Sequence, residues 1–379
     1  MKKLLFIIAL VSSFVQGQEI SIPPSGGNQK AEVSQWMGLV KVTISYSSPN
    51  IHGPKHDVDR KGHIWGDLVP YGLTDEGYGP SLSVPWRAGA NMNTTISFSH
   101  DVKVEGKDIK AGTYGLFLIV EKDGPWTWIF SKNANSWGSF SYDPAEDALR
   151  VNVQAENAPY TEYLTYGFDN RLIDSTVAYL QWENKRVPLS IMVPDYKELY
   201  VAKMREELRG WAGFSYQNWA GAAQWCALNK VNLEQALVWA DKAINVPFRG
   251  LSPGTENFAT LQVKSAVLRA LKRNDEADIV MDKAIHHFSA TVNGIYNYGL
   301  RLVKSGRQDK ALEVFKYNQQ RYPEEKFWTY RGLGQGYAAA GDKKKAIANL
   351  EIALKNVPES MRSSVTELNE ELSGLKSGK

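Results

Sequence analysis

Cysteine, net charge and long apolar runs are all scarce in this sequence, and each scarcity excludes a class of protein. Cys226 is the only cysteine among 379 residues, so no disulfide can form within the chain. It follows Trp225 in an apolar stretch, which indicates a buried thiol rather than a nucleophile. Basic side chains number 44 and acidic ones 41, a balance that gives no electrostatic basis for nucleic-acid binding. Beyond the amino terminus no apolar run approaches the roughly 20 residues that span a bilayer, so the sequence predicts no transmembrane helix.

Catalytic and metal-binding signatures are also missing. The sequence has no G-x-S-x-G elbow and no H-E-x-x-H or paired C-x-x-C pattern. We therefore predict no catalytic residue, no metal site and no cofactor. One loop, 50–65, carries five side chains of metal-ligating type: His52, His56, Asp57, Asp59 and His63. Their spacing matches no zinc signature, so a solvated polar loop is the simpler interpretation. A hydrolase with catalytic groups from loops 50–65 and 73–85 stays open, because catalytic partners need not be neighbours in sequence.

The first residues have the three parts of a secretory signal peptide. A lysine pair supplies the positive start, Leu4–Val15 is the apolar core, and V-Q-G at 15–17 offers a cleavage site with a small residue. A membrane anchor or buried helix fits less well, because the apolar run is short for a bilayer. We predict that residues 1–17 are removed and that 18–30 form a flexible lead-in. The exported protein is then periplasmic or extracellular.

Residues 31–194 follow the period of two that is typical of half-buried strands. In the run V-K-V-T-I-S-Y, for example, apolar residues alternate with Lys, Thr and Ser, and turn residues separate such runs. The last two predicted strands are Thr176–Trp182 and Val187–Val193. About ten short strands predict an antiparallel β-sandwich or jelly-roll-like domain.

After residue 194 the apolar period becomes helical. Asp195 with Glu198 resembles a helix capping box, so we predict a linker helix at 195–215. From Tyr216 onward the helical period continues and the sequence begins to repeat.

Residues 216–358 contain about four repeat units. The repeat is marked by alanines that are 41, 34 and 35 residues apart: Ala236, Ala277, Ala311 and Ala346. A period near 34 with small residues where helices cross resembles the tetratricopeptide family, most clearly in the last unit. The resemblance implies an α-helical solenoid that binds a protein or peptide, with 359–379 as capping helix and tail. The longer first step predicts an extended loop around Arg249–Glu256.

The register of these repeats predicts a partner groove. Its side chains are Trp225, Arg269, Tyr296, Lys304, Trp328, Arg331 and Gln335. Aromatic rings beside amides and cations suit a protein or peptide partner. The carboxylate clamp known in some members of that family is not reproduced, and one of its recurring positions is occupied by Ala222, Val263, Asn297 and Gly332. An acidic C-terminal tail is therefore not the expected partner. The alternative is that this face packs against the β domain.

The N-terminal half resembles a family of secreted bacterial domains known as domain of unknown function 2911. The motifs that carry the resemblance are Gln35–Tyr46, Gly66–Gly72, Trp86–Thr95, Ala111–Phe117 and Asn135–Gly138. The resemblance implies a β-sandwich and brings no established activity. This chain departs from the family pattern by extra residues at 56–63 and 74–84.

The densest functional chemistry lies in W-R-A-G-A-N-M-N-T-T, residues 86–95. Trp86, Arg87 and Asn91, with Trp137, are the predicted ligand-binding residues, and they suit a hydroxylated or carboxylated ligand. The alternative is structural, with Arg87 paired to a carboxylate and Asn91 satisfying a turn.

A second aromatic set suggests a sugar-stacking surface, although we expect at least two of its members in the core: Trp126, Trp128, Trp137 and Tyr142. The leading function is an exported scaffold that binds a protein partner. The alternatives are a carbohydrate-binding module and the hydrolase described above.

Overall fold

A computed structural model describes residues 28–53, 58–245 and 254–377, and the chain divides into two compact units between Tyr196 and Lys197. The predicted signal peptide, most of the lead-in, and His56 and Asp57 lie outside the described residues. So does most of the extended loop predicted around Arg249–Glu256. Export therefore stays a prediction. No described helix has the length and apolar character needed to cross a membrane.

The first unit is built from antiparallel strands. Its described strands are β1 Gln29–Met37, β2 Val40–Ser48, β3 Thr94–Phe98, β4 Val102–Val104, β5 Lys107–Ile109, β6 Gly112–Ile119, β7 Trp126–Ser131, β8 Asp147–Val153, β9 Glu156–Asp169 and β10 Ser175–Met192. They form a six-stranded sheet in the order β1-β2-β3-β6-β7-β8 and a four-stranded sheet in the order β5-β4-β10-β9. The prediction of an antiparallel β domain is confirmed.

The core of this unit lies between the two sheets. In β2 the inward positions Val40, Val42 and Ile44 are fully buried, as the alternation predicts. Tyr46 and Tyr166 meet across the sheets with ring centroids 4.7 Å apart. The Trp128 indole N–H of β7 donates to the Pro188 carbonyl of β10 at 3.1 Å. These contacts fix one sheet against the other.

The last hairpin differs from the prediction. Thr176–Trp182 and most of Val187–Val193 are not separate strands but parts of one long strand, β10, which ends at Met192 and pairs with β9. The polar stretch between them suggested a turn. Instead the strand continues through register shifts between Gln181 and Lys185, where Glu183 has a left-handed φ of 50°. A bulge lets a strand absorb such a stretch without ending.

The second unit is α-helical. Its described helices are α1 Tyr196–Glu207, α2 Tyr216–Asn229, α3 Leu233–Asn245, α4 Phe258–Ala270, α5 Asn274–His286, α6 Val292–Lys304, α7 Gln308–Arg321, α8 Trp328–Ala339, α9 Lys343–Lys355 and α10 Ser364–Ser377. Four hairpins, α2–α3 to α8–α9, correspond to the four predicted repeats. The marker alanines of their second helices are all fully buried, which allows close helix crossings. The tetratricopeptide-like arrangement is confirmed.

The helices at the two ends belong to the same packed unit. Val201 and Leu208 of the α1 segment join the apolar cluster of α2 and α3. The capping box predicted at its start is not formed: Asp195 has a φ of 49°, whereas an N-cap residue is extended. The Glu198 carboxylate instead accepts the Asn232 amide at 2.8 and 2.7 Å. In α10, Leu368 packs on the last hairpin.

Candidate functional sites

The segment 86–91 is a tightly held loop between strands of the six-stranded sheet. Trp86 pairs with Leu118 of β6 through backbone hydrogen bonds of 3.1 and 2.8 Å. Ala88 and Asn91 then adopt left-handed φ angles of 49° and 59°, which cost free energy for residues other than glycine. The buried Ala88 carbonyl accepts the Thr94 hydroxyl at 3.0 Å and the Tyr166 hydroxyl at 2.8 Å. Burial raises the pKa of Tyr166 well above its ordinary value, so this hydroxyl stays a donor.

A cavity of about 360 Å³ lies against this loop; we call it the ligand cavity. Its lining combines the loop with the segment 68–76: Asn28, Pro49, Arg60, Leu68, Val69, Pro70, Gly72, Thr74, Glu76, Trp86, Arg87, Gly89, Ala90, Asn91 and Trp182. The structure thus brings together Trp86, Arg87 and Asn91 on one cavity wall. Trp137 is not among the described lining residues, and it is 53% exposed.

Contacts within the protein balance the positive charge of Arg87 only in part. One guanidinium nitrogen contacts the Glu76 carboxylate at 3.4 Å, and another donates to the Asn91 carbonyl at 3.1 Å. Burial lowers the pKa of Arg87, against the opposing effect of Glu76. The guanidinium also lies 5.3 Å from the centre of the Phe140 ring. The structural alternative therefore accounts for some of its contacts, yet the group still borders open space.

The turn that contains Trp137 braces the loop from behind. The Gly138 N–H donates to the Asn91 carbonyl at 3.1 Å, and the backbone of Trp137 bridges to Met92. Gly138 has a φ of 65°, and a Cβ there would lie 2.8 Å from the Arg87 guanidinium. The left-handed backbone favours glycine here, and a Cβ would also require the end of the Arg87 side chain to shift. The side-chain amide of Asn91 donates to the Asn28 carbonyl at 3.3 Å, so its nitrogen is already used within the protein.

Arg60 is a lining residue that the sequence did not single out. It lies in the loop 50–65, whose histidines and aspartates were the candidate ligands in the sequence. Within the described ranges it makes no ion pair. Its described lining therefore includes two arginines, Arg60 and Arg87, and one acidic residue, Glu76.

The aromatic set proposed for sugar stacking is mostly internal. Trp126, Trp128 and Tyr142 are buried, as expected for at least two of them, so they offer no ring face to a ligand. Trp126 instead joins a tryptophan cluster under the cavity. In it, Trp65 lies 5.0 Å from Trp126 and 5.9 Å from Trp86, and Trp86 stacks on Trp182 at 6.1 Å.

The polar loop 50–65 forms contacts between histidines and carboxylates. His52 contacts Glu162 at 2.9 Å and Asp59 at 3.5 Å, while His63 contacts Asp67 at 2.8 Å. Partial burial opposes ionisation of Glu162, but hydrogen bonds from Tyr160 and His52 prevail and lower its pKa to about 2. Over the described residues, no group of three His, Cys, Asp or Glu side chains could hold a metal ion.

The predicted partner-groove residues lie either at the ends of the helical stack, where other helices cover them, or in its middle, where the face is open. At the C-terminal end the protein's own α10 covers them: Arg331 is only 8% exposed and contacts Glu367 at 2.9 Å and Glu371 at 3.3 Å. Gln335 donates to Glu371 at 3.0 Å and accepts from the Tyr296 hydroxyl at 2.9 Å. The polar groups of these side chains are therefore engaged in contacts within the protein.

Two aromatic members of the predicted set are also engaged internally. Trp328 packs on Tyr296 with a centroid distance of 4.9 Å. At the N-terminal end, Trp225 lies 5.6 Å from Tyr200 of α1. Helix positions on the inner face are therefore occupied at both ends of the stack by the flanking helices.

The middle of the same face is open. Cavities of about 510 and 360 Å³ adjoin there and share Gln262 and Arg301; together they form what we call the repeat groove. Arg269 lines the first cavity and Lys304 the second. The sequence did not predict Arg301 as a groove residue, because its position along α6 differs from the repeat positions that gave the predicted groove residues. Burial lowers the pKa of Arg301; Tyr298 opposes this, and repulsion by Arg269 reinforces it.

Comparisons with known proteins concern the two units separately. A search of curated proteins finds no match. Among solved structures, the helical part matches "MamA 41-end from Desulfovibrio magneticus RS-1" at 18% identity and a TM-score of 0.26, covering 43% of this chain and 96% of that chain. So low a TM-score supports no functional statement. Residues 28–191 match the family described as "Protein of unknown function (DUF2911)". The β domain of this chain is therefore similar to the DUF2911 family, and tetratricopeptide-like repeats follow it.

Proposed function

We propose that the protein is an exported scaffold whose repeat groove binds an acidic segment of a partner protein. One observation carries the proposal: the described lining of the repeat groove contains Arg269, Arg301 and Lys304 and no carboxylate. A groove lined by one sign of charge selects partners of the opposite sign and speeds their association.

Ion pairing among the described residues of the unit compensates only part of this positive charge. Arg269 and Arg307 share a single carboxylate, that of Asp278. Arg301 and Lys304 make no ion pair with any described residue. Arg301 is exposed, and its planar guanidinium can hold a partner carboxylate in a bidentate manner, which a lysine cannot do.

The rest of the lining suits a main chain laid along the groove. Gln262 and Gln224 offer amide donors and acceptors, and the small side chains of Ala259 and Ala266 leave room for a backbone. The cations occupy different positions from the clamp that recognises acidic tails. We therefore place the acidic residues within the partner's chain rather than at its end.

The test is capture of a partner from cell-envelope extract by the protein 18–379 and by a double charge reversal, Arg301→Glu with Lys304→Glu. The matched control is Lys343→Glu with Lys344→Glu, two exposed lysines of α9 in the same unit. Circular dichroism must show unchanged helicity in all three proteins. The proposal requires that the wild type and the control capture the same partner and that the groove variant loses it. A partner retained by the groove variant refutes the proposal.

Export is part of this proposal. We expect the mature chain to begin at Gln18, and N-terminal sequencing of the protein from the periplasm or medium tests this. A mature chain that retains Met1 would refute export by cleavage.

A further inference from the structure

The ligand cavity of the β domain is a second site, independent of the repeat groove. We infer that it binds a small organic acid with a single carboxylate, held by Arg60 and Arg87, with an apolar body against Trp86. This goes beyond the scaffold function and depends on a different unit of the chain.

The described lining of the cavity carries one more positive charge than negative charge, which suits a ligand with a single negative charge. Arg60 and Arg87 line it together with Glu76 as the one carboxylate in the described lining. The Arg87–Glu76 contact is 3.4 Å, whereas charge-assisted hydrogen bonds are usually about 2.7–2.9 Å long. The fork of Arg87 is therefore not bound in a bidentate manner by its own protein. A carboxylate ligand supplies that geometry, while Glu76 disfavours a dianion such as phosphate.

The remaining described lining includes apolar residues that a ligand body can contact. Leu68, Val69, Pro70 and Trp86 are among them. Ligand sites commonly combine an apolar wall with a few oriented polar groups in volumes of about 300–1,000 Å³. At about 360 Å³ the cavity is at the small end of that range, which favours a small acid over an oligosaccharide.

The wall is also pre-organised. The left-handed Ala88 is held by hydroxyl groups of Thr94 and Tyr166, and the glycine at 138 lets the Arg87 guanidinium lie against the turn. Strained backbone that the surroundings hold in place is common at ligand sites. Little reorganisation is then needed when a ligand enters, which preserves affinity.

The experiment is titration of the protein with phenylacetate, its neutral analogue phenylacetamide, and inorganic phosphate, monitored by calorimetry and tryptophan fluorescence. We expect phenylacetate to bind at least about tenfold more tightly than phenylacetamide, since hydrogen bonds to charged groups are the strong ones. Arg60→Gln and Arg87→Gln should each weaken phenylacetate binding by about tenfold or more. Arg171→Gln removes the same charge from an exposed site in the same unit, outside the cavity lining, and should leave binding unchanged.

Four outcomes overturn the inference. They are the absence of phenylacetate binding, equal binding of the acid and the amide, phosphate binding as tight as phenylacetate binding, and full phenylacetate binding by Arg60→Gln. Arg60→Gln keeps the test decisive even if Arg87→Gln disturbs folding, because Arg87 packs on Phe140 and Arg60 has no such contact among the described residues.

Discussion

The packing of Phe315 gives the sharpest stability prediction for the helical unit. Its ring is fully buried and fills space beside glycines of two neighbouring helices, Gly299 of α6 and Gly332 of α8. A Cβ added at Gly299 would overlap the Cε1 atom of the ring and lie 2.6 and 2.8 Å from two further ring carbons. The Gly299→Ala change therefore forces a buried ring to move.

The expected magnitude combines two opposed effects. Alanine favours a helix interior over glycine by about 1 kcal/mol. Overpacking a well-packed core costs typically about 1–3 kcal/mol, and overlap with a ring enclosed on two sides places this case at the upper end. We expect a net loss of about 2 kcal/mol in the free energy of unfolding for Gly299→Ala.

The matched control is Gly221→Ala in α2, where no described atom lies within 4 Å of the added Cβ. There the helix preference acts alone, so we expect a gain of up to about 1 kcal/mol. Urea unfolding followed by far-ultraviolet circular dichroism measures both variants. Adding Phe315→Leu to Gly299→Ala should recover part of the loss that the overlap causes. A Gly299→Ala protein as stable as the wild type, or one stabilised like Gly221→Ala, would refute the packing argument.

Three further predictions concern single hydrogen bonds and charges. Tyr166→Phe removes one of the two donors to the Ala88 carbonyl and should cost about 1 kcal/mol in denaturant unfolding followed by tryptophan fluorescence; an unchanged midpoint would contradict it. Because the pKa of Glu162 is lowered from 4.5 to about 2, its contribution to stability is present above pH 4.5 and lost as the pH falls towards 2. Thermal unfolding across that window should show a weaker pH dependence in Glu162→Gln, and an identical profile would count against the assignment. Arg331→Met leaves Glu371 without its cation and should lower the free energy of unfolding by about 1–2 kcal/mol. This loss is smaller than for breaking a fully buried ion pair, because Glu371 reaches solvent. Limited proteolysis should then cut α10 faster than in the wild type, and equal rates would rule this out.

Local patterns were enough to predict most of the architecture. The repeated alanines Ala236, Ala277, Ala311 and Ala346 mark helix crossings, because only small residues fit where two helices cross. Their regular spacing can be recognised from this sequence alone. Alternation predicted β2, because its inward positions are buried and most of its outward positions are not. Strand β9 was missed because Glu156–Asp169 is mostly polar at its start and contains Pro159. The prediction also ended the lead-in at residue 30, whereas β1 begins at Gln29.

The sites were only partly predictable, because their decisive contacts are distant in sequence. Trp86, Arg87 and Asn91 could be named together since they share one short loop. Arg60 reaches the same cavity only through the tertiary fold. Likewise, nothing local shows that Glu367 and Glu371 of α10 cover Arg331.

The central claim is that a partner's acidic segment lies in the repeat groove, and site-specific photocrosslinking tests it most directly. A benzophenone amino acid would replace Gln262, which lines both cavities of the groove. The control position is Ile279 of α5, an exposed side chain outside the groove lining. The account predicts a crosslinked partner from position 262 alone, with mass spectrometry placing the crosslink in a peptide of net negative charge. Crosslinking only from position 279, or to a neutral or basic peptide, would contradict the account.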